Sequence, residues 1–538
     1  MRRRAPARRL AARARALAAA VIGALAIVAC GSSSPATPPL PVRHGPELQS
    51  ILEPGNLLMS QPMATLDQLR ALGVQRVRVD VIWNQIAPDP LSPRAPANFQ
   101  AANPAAYPAS GWASYDRVFS DARALGIGIY ATVTGPAPVW AEAPGEPRGG
   151  FVGVWKPNAA DFGAFVRAVG RRYSGSYVPP GGGAPLPRID LWSIWNEPNN
   201  GFDLAPQAVH HNTVTVSPRV YRALLDAAWA ALRATGHGQD TILIGETAPR
   251  GEVTFGRPGN FSVMEPLVFI RALYCLDGSF APLAGALARA SGCPVGAGAK
   301  ARFRAENPAL FDASGFADHP YPQGSAPPDE PTTGVPGDSG YADFASLGRL
   351  ESTLDRALAA YGVRRSLPIW SSEFGYHTNP PEQYEPSPQL AAAYLNWSEY
   401  LSWRNPRLRS YDQYLLRDAV GDRFATGLEL ANGTPLATFY AFRMPLYLPS
   451  TVQRGDSPLL VWGCVRPVRY VAGRQLAALQ FAAGRAGPFR TIRRVAIGDR
   501  AGYFVVYQRF PSSGRVRVAW SYPSGQRIYS RIVSVRVG

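Results

Sequence analysis

The chain has 538 residues, 46 % of them hydrophobic and 17 % charged, with 52 glycines and 52 prolines. That length exceeds one ordinary hydrophobic core, and the composition excludes wholesale disorder, a fibrous repeat and a small disulfide scaffold; two domains behind a leader are expected. The formal charge of +17 suggests nucleic acid, but seven arginines lie before residue 16 and fifteen lie after Pro445 against Asp456 and Asp499, which leaves the segment between near −3 and argues against that partner.

Residues 1–15 are arginine-rich, residues 16–29 are apolar, and a small residue precedes Cys30, the pattern of a secretory leader. Fourteen apolar residues fall short of the ~20 that span a bilayer as a helix, so removal is expected rather than anchoring by this segment. Ile27-Val28-Ala29-Cys30 resembles the bacterial lipobox, which implies acylation of Cys30; plain cleavage near Ala29 is the alternative. Either route gives an extracellular or cell-envelope protein. Residues 31–48 form a flexible tether. In that compartment Cys275 and Cys293 are close enough in sequence to form a disulfide, and Cys464 remains as a buried thiol. No spacing fits a metal site, and neither metal nor cofactor is expected.

Downstream, short apolar runs alternate with helical patterns. Residues 56–60 read as a first strand and 66–72 as a helix stopped by Gly73. Residues 74–82 form a second strand, with Arg78, Asp80 and Trp83 near its end. A helix over 116–125 and a strand over 127–134 follow, then a loop bearing Trp140 and Trp155. Next come a helix over 161–173, a strand from Leu191, a helix over 218–235 and a strand over 241–246 that ends in Glu246. Residues 251–311 are long for one connection and are expected to shape a cleft rim. Asp318-His319-Pro320-Tyr321-Pro322 ends a sixth strand. A Pro/Gly-rich loop (324–340) and a helix (344–361) precede strand seven from Leu367, and a helix (389–403) precedes strand eight (408–416). After a helix over 435–443 the texture changes to alternating runs at 459–465, 492–497, 503–510, 516–522 and 528–537, read as a small β-sandwich over 446–538. Its expected role is a cap on the first domain or polymer binding, and an anionic envelope polymer fits its charge better than nucleic acid.

Two strand ends carry chemistry. Leu191-Trp192-Ser193-Ile194-Trp195 stops abruptly at Asn196-Glu197-Pro198, where proline cannot continue a ladder. Adjacent strand residues point to opposite faces, so Asn196 and Glu197 can serve one pocket only if the strand is irregular there. Leu367-Pro368-Ile369-Trp370-Ser371-Ser372 likewise ends in Glu373, with Gly375 permitting a sharp turn. A glutamate after one strand is ordinarily just solvated. Two in this order suggest the paired carboxyls of glycoside hydrolysis, one protonated to serve the leaving oxygen and one ionised to attack the anomeric carbon.

Trp195-Asn196-Glu197-Pro198 and Ser371-Ser372-Glu373-Phe374-Gly375 together resemble the motifs of the clan A glycoside hydrolases, retaining enzymes on a (β/α)8 TIM barrel, over roughly residues 50–445. Families 5 and 39 look most similar. The resemblance implies an α/β fold, a barrel over 49–445 ahead of the C-terminal all-β domain, and a carbohydrate substrate handled by a monomer without cofactor. It implies Glu197 as acid/base and Glu373 as nucleophile, with carboxyls about 5 to 5.5 Å apart. Asn196 would hold the sugar 2-hydroxyl, Arg78 would lie by the nucleophile, and His319 or Tyr321 would bond the nucleophile or the substrate. Trp83, Trp140, Trp155 and Trp370 are candidate sugar contacts, since indole packs on pyranose C–H faces. Glu246 is the rival carboxylate. Strand eight departs from the family in offering Tyr411, Gln413 and Tyr414 where a tryptophan is common.

Overall fold

The computed structural model describes residues 39–146, 150–210, 213–252, 261–330, 340–421 and 424–538. The leader with Cys30, and residues 331–339 of the Pro/Gly-rich loop, lie outside that set.

Eight parallel strands close a barrel: β1 (Gln49–Leu52), β2 (Arg76–Ile82), β3 (Gly128–Thr134), β4 (Leu191–Ile194), β5 (Thr241–Thr247), β6 (Gly315–Asp318), β7 (Ile369–Ser371) and β8 (Leu408–Tyr411). Each strand pairs with its neighbours in chain order, and β8 returns to β1 through Gln49 opposite Ser410. A principal helix follows each strand: α1 (Pro62–Leu72), α2 (Ala109–Leu125), α3 (Ala159–Arg172), α4 (Ser217–Leu232), α5 (Pro266–Leu273), α6 (Leu347–Ala360), α7 (Pro388–Arg404) and α8 (Ala437–Arg443). Gly73 and Gly126 end α1 and α2 in the left-handed conformation that glycine adopts without a Cβ clash. The Asn158 side chain caps the first amides of α3.

Alternation assigns the faces. Val77, Val79 and Val81 pack outward among the helices, whereas Arg78 points into the barrel. Ile51, Tyr130, Leu191, Leu243, Ala317 and Trp370 form a layer of their own from six strands, so the barrel is filled. The charged residues lie above it.

The first strand lies at Gln49–Leu52, and the expected strand 56–60 is a short helix, Asn56–Ser60. Leu57-Leu58-Met59 is too brief an apolar run for periodicity to separate the two states. Helix α2 begins at Ala109, a full turn and more before the expected start. Cys275 and Cys293 are disulfide-bonded, and Cys464 is free and buried.

The C-terminal domain is a sandwich. Its inner sheet joins β9 (Leu446–Tyr447), β11 (Leu459–Cys464) and β14 (Tyr503–Gln508). The outer sheet runs β10 (Val452–Gln453), β17 (Val533–Val537), β15 (Gly514–Ser521), β12 (Gln475–Ala483), β13 (Arg490–Ile497), with β16 (Arg527–Tyr529) beside β15. Leu459, Val461, Val506, Leu479, Phe481, Val516 and Val518 fill the space between the sheets. Trp462, Cys464 and Tyr503 of the inner sheet join the barrel's own core. At that seam Arg466 Nη2 donates to both oxygens of Glu399 of α7 at 2.7 and 2.8 Å, and Tyr503 donates to the same carboxylate at 2.8 Å. Tyr522 donates to the Ala71 carbonyl at 3.0 Å and Tyr470 to that of Val74, so this domain meets the loop leading into β2. That is the N-terminal end of the barrel, away from the ends of the strands that carry the carboxylates.

Candidate active site

The carboxyl ends of the strands build one pocket. β4 stops at Ile194, and Trp195 and Glu197 then take positive φ of 68° and 37°. Such backbone costs of order 1–3 kcal/mol per residue and persists because its surroundings hold it. Here Trp195 donates its amide to Val133 at 2.8 Å and its indole N–H to Asp203 at 3.2 Å. The unwinding breaks alternation, so consecutive side chains face one pocket: Asn196 Oδ1 accepts from Arg78 at 2.9 Å, and Glu197 Oε1 lies 2.9 Å from His319 Nδ1. Asn200 donates to Glu197 Oε2 at 2.9 Å.

Glu373 enters from the end of β7. Arg78 donates to its Oε1 at 2.8 Å and the Tyr321 hydroxyl to its Oε2 at 2.8 Å, with His319 Nδ1 3.5 Å from Oε2. An oxygen of Glu197, an oxygen of Glu373 and a nitrogen of His319 all lie within 4.8 Å of one another. The side chains of Glu197 and Glu373 retain 17 % and 12 % exposure, whereas those of Arg78, His319 and Glu246 retain none. The pair therefore stands at the wet edge of a dry charge network.

Glu246 organises that network from below. A bulge in β5, with Gly245 at φ 108° and Glu246 at 53°, turns its carboxylate inward. It lies 2.7 Å from His319 Nε2 and accepts from Ser372 at 2.7 Å, Arg78 at 3.3 Å and the Tyr130 hydroxyl. Tyr130 belongs to the layer that fills the barrel, so the network rests directly on the core. Arg78 also pairs with Glu53, at the end of β1, and lies 3.6 Å from Asp80.

The electrostatics follow from burial and these pairings. Burial pushes the Glu246 carboxyl up, but the Arg78 charge and the His319 hydrogen bond outweigh it and hold it far below the usual carboxylate range. Burial opposes charge on His319, yet Glu373, Glu197 and Glu246 raise its pKa well above the ordinary value and keep the imidazole cationic, donating from both nitrogens. At Glu197 burial again pushes upward and is overcome, chiefly by the bond and charge of His319, so the carboxyl is lowered. At Glu373 burial wins against His319 and Arg78 and the carboxyl is raised. Burial also lifts Glu53 to about 8. The two carboxyls are thus shifted in opposite directions, Glu373 upward and Glu197 downward. The cause is the His319–Glu197 contact.

The pocket thus gathers Glu197, Glu373, Asn196, Arg78, His319 and Tyr321, with Glu246 beneath them. The four predicted tryptophans lie elsewhere. Trp83 is fully buried between barrel and helices, stacked on Phe165 at 5.8 Å, and Trp140 packs edge-on against it while bonding the Pro88 carbonyl. Trp370 points into the barrel-filling layer below the site. Trp155 is buried with Val154 and Ala205. All four serve packing, because an indole next to a loop has as much apolar area to offer a core as a sugar.

The sequence reading passed over Glu53, Asn200, Asp203, Ser372 and Tyr130. Asp203 lies 3.4 Å from Asn196 Nδ2, and burial raises its carboxyl well above the usual range. Tyr414, from the segment after β8, packs edge-on to Tyr321 at 6.2 Å, beside the Glu373 pocket. Phe151 and Phe202, exposed on the loops after β3 and β4, meet edge-on at 4.7 Å on the rim. Among the described residues Glu197, His319 and Glu373 are also the set compact enough to meet a cation. Each His319 nitrogen already faces a carboxylate, and Arg78 bonds Glu373, so these carboxylates already have cationic partners within the protein.

No family model matches the sequence, and no curated protein matches it. Among solved structures the chain is similar to a family 39 glycoside hydrolase from Bacteroides cellulosilyticus, at 14 % identity and a TM-score of 0.42 over 86 % of this chain and 81 % of that one. It is also similar to a glucosidase from Croceicoccus marinus (12 %, TM-score 0.42, 88 % and 77 %) and a family 1 β-glucosidase from Thermotoga maritima (13 %, 0.43, 72 % and 94 %). The functional reading rests on the pocket itself.

Proposed function

We propose that this chain is a retaining glycoside hydrolase that cleaves a β-linked oligo- or polysaccharide by double displacement through Glu373 and Glu197. The observation that carries the reading is the approach of the two carboxylates within 4.8 Å across a solvent-reached gap. That separation suits direct attack on an anomeric carbon; inversion needs roughly 6.5–9.5 Å to admit a water between base and sugar.

The roles follow from the partners. Glu373 has a donor on each oxygen, Arg78 and Tyr321, which orient it and stabilise its anion as nucleophile. Glu197, on the neighbouring wall, protonates the departing oxygen and then deprotonates the water that releases the glycosyl-enzyme. In the free pocket its Oε1 is occupied by His319. A sugar entering the gap competes for that donor and separates the carboxylates. With the His319 bond withdrawn the largest influence lowering Glu197 is gone and burial raises it, so of the pair it is Glu197 that holds a proton while Glu373 attacks the anomeric carbon. Asn196, positioned by Arg78, reaches the 2-hydroxyl as charge develops on the ring.

Proton NMR of the first-formed anomer from an aryl β-glycoside tests the reading. Retention is expected, and an inverted product refutes the double displacement. A Glu373→Gln variant that turns over at the parental rate refutes the nucleophile.

A further inference from the structure

We infer that the outer face of the C-terminal sheet is a docking surface for an anionic polysaccharide, a polymer of uronic or sulfated sugars, which it grips through a field of arginines stacked on aromatic rings. Val516 and Val518 point into the sandwich, so Arg515 and Arg517 on β15 point out of it. Register carries the same face sideways. Gln480 of β12 lies opposite Arg517, Ala478 opposite Ala519, and Arg494 of β13 opposite Ala478; on the other side Tyr529 lies opposite Ala519 and Arg527 opposite Ser521. Arg494, Arg515, Arg517 and Arg527 thus share one face, about 7 Å apart along a strand and about 10 Å apart across two. Successive acidic sugars present their charges on that scale.

The face is built rather than incidental. The Arg517 guanidinium sits between two rings, 4.1 Å from the Phe489 centroid and 4.0 Å from that of Tyr529, and Arg515 lies over the same Phe489 at 5.2 Å. Arg517 Nε is held by Gln480 at 2.9 Å, which fixes the fork with its far edge free. Among the described residues none of the four arginines has a carboxylate within 4.0 Å, and Arg515 Nε is buried without a partner. Arg517 is slightly depressed by its own partial burial, and neighbouring Arg527 and Arg515 act in the same direction, so the cluster repels itself. Arg515 Nη2 donates to the Gly487 carbonyl at 3.0 Å and Arg527 Nε lies 3.5 Å from Ser521 Oγ, so these groups are held by neutral partners while their charge has no carboxylate opposite it, and guanidinium edges of this kind pair with carboxylates and sulfates.

Charge complementarity selects a polyanion, and two features select among polyanions. Phe489 and Tyr529 already carry guanidinium groups on their faces and are not free to stack on bases, which weakens the case for single-stranded nucleic acid. On β12 and β13 the exposed large apolar side chains are Leu476 and Ile492, one on each strand, too few to form the continuous apolar face that enters a bilayer. The choice of sugar polymer rests on the hydrolase reading. The sheet lies beyond the inner sheet from the barrel and at the end away from the carboxylates, so it can hold polymer without covering the pocket.

The test uses the full chain and measures retention directly, so a failed hydrolase reading and a failed docking surface are told apart. Affinity electrophoresis in gels containing polygalacturonate, dextran sulfate or neutral dextran should retard the protein in the first two only, with retardation falling as salt rises. The variant R494Q/R515Q/R517Q should lose about tenfold or more in affinity for polygalacturonate, with unchanged melting temperature and aryl-glycoside turnover. Should the triple variant fail to fold, Arg494→Gln alone, on an exposed edge strand, should lose about two- to threefold. Equal retention of parent and variant, absence of retention by either acidic polymer, or tighter binding of the parent to single-stranded DNA or to phosphatidylglycerol vesicles than to polygalacturonate overturns the inference.

Discussion

Glu246 is the residue by which the charge network is best tested, because it touches both cations and stands outside the gap where a sugar would lie. In Glu246→Gln the amide oxygen can still face His319, Arg78 and Ser372, while the amide nitrogen turns to Tyr130, whose oxygen can accept. Shape is kept and charge is lost. A hydrogen bond to a charged group contributes about 1.5–3 kcal/mol against about 0.5–1.5 for a neutral one, so weakening the bonds from two cationic donors costs about 2–3 kcal/mol in the network. If that energy holds His319 and Arg78 where they meet Glu197 and Glu373, kcat/KM should fall about 30- to 160-fold. His319 also loses one of its three carboxylate partners, so its pKa falls and the pH profile of kcat/KM changes shape. Aryl-glycoside hydrolysis across the pH range, with circular dichroism of the same samples, measures both. An unchanged profile with kcat/KM within twofold of the parent would refute the reasoning and leave Glu246 a passive buried carboxylate. Trapping with a 2-deoxy-2-fluoro glycoside adds a check: the label is expected on Glu373, and a label on Glu246 would exchange their roles.

Glu197→Ala should lose turnover of substrates with poor leaving groups by about 10²-fold or more, and azide should restore that of an activated one as the β-glycosyl azide; no azide product would count against Glu197 as acid/base. Arg466→Met leaves Glu399 fully buried with Tyr503 as its remaining hydroxyl donor, so urea unfolding at neutral pH should show a loss of about 3–5 kcal/mol; a loss under about 1 kcal/mol would mean that water reaches the seam. Stability should decline as pH rises from about 5 to 8. Burial lifts Glu53 and Asp318 to about 8, so the folded chain keeps protons that the unfolded chain releases near pH 4, and His319, raised above its unfolded value, adds stability that is complete below about 6.5 and is lost above it. A melting temperature that climbs over that interval would contradict the burial of these carboxyls.

The sequence made the two strand-end glutamates legible because a buried parallel strand is almost featureless until a polar group breaks it, and Asn196-Glu197-Pro198 breaks it sharply. Ser50-Ile51-Leu52-Glu53-Pro54 has the same form, a short apolar run closed by glutamate and proline, and Glu53 does sit in the pocket. It went unread because the first strand was placed at 56–60. Strand β12 escaped for a different reason. Ala477, Leu479 and Phe481 face inward with period two, but Ala478 and Ala482 on the other face are also apolar, so the alternation is nearly silent. The tryptophans show the limit from the other side, since local sequence reports that an indole will be buried but not whether protein or sugar will cover it. The low pKa of Glu197 was beyond any local reading: it depends on His319, 122 residues away.

That last contact bears on how the pocket stores protons. Glu53, Asp80, Glu197, Glu246 and Glu373 surround two cations, Arg78 and His319. Five carboxylates cannot all ionise in a dry space against two positive charges, and the burial that raises Glu53, Asp80 and Glu373 expresses that surplus. In the proposed mechanism these raised carboxyls are the reserve from which the acid step would draw its proton. Among the described residues His319 is the cation that pairs with Glu197, Glu246 and Glu373 together, so in the proposed mechanism it is the group that directs a proton to the correct oxygen. On that proposal a substrate taking the His319 donor would release Glu197 from the contact that lowers its pKa, so that occupancy of the gap and arming of the acid would be a single event.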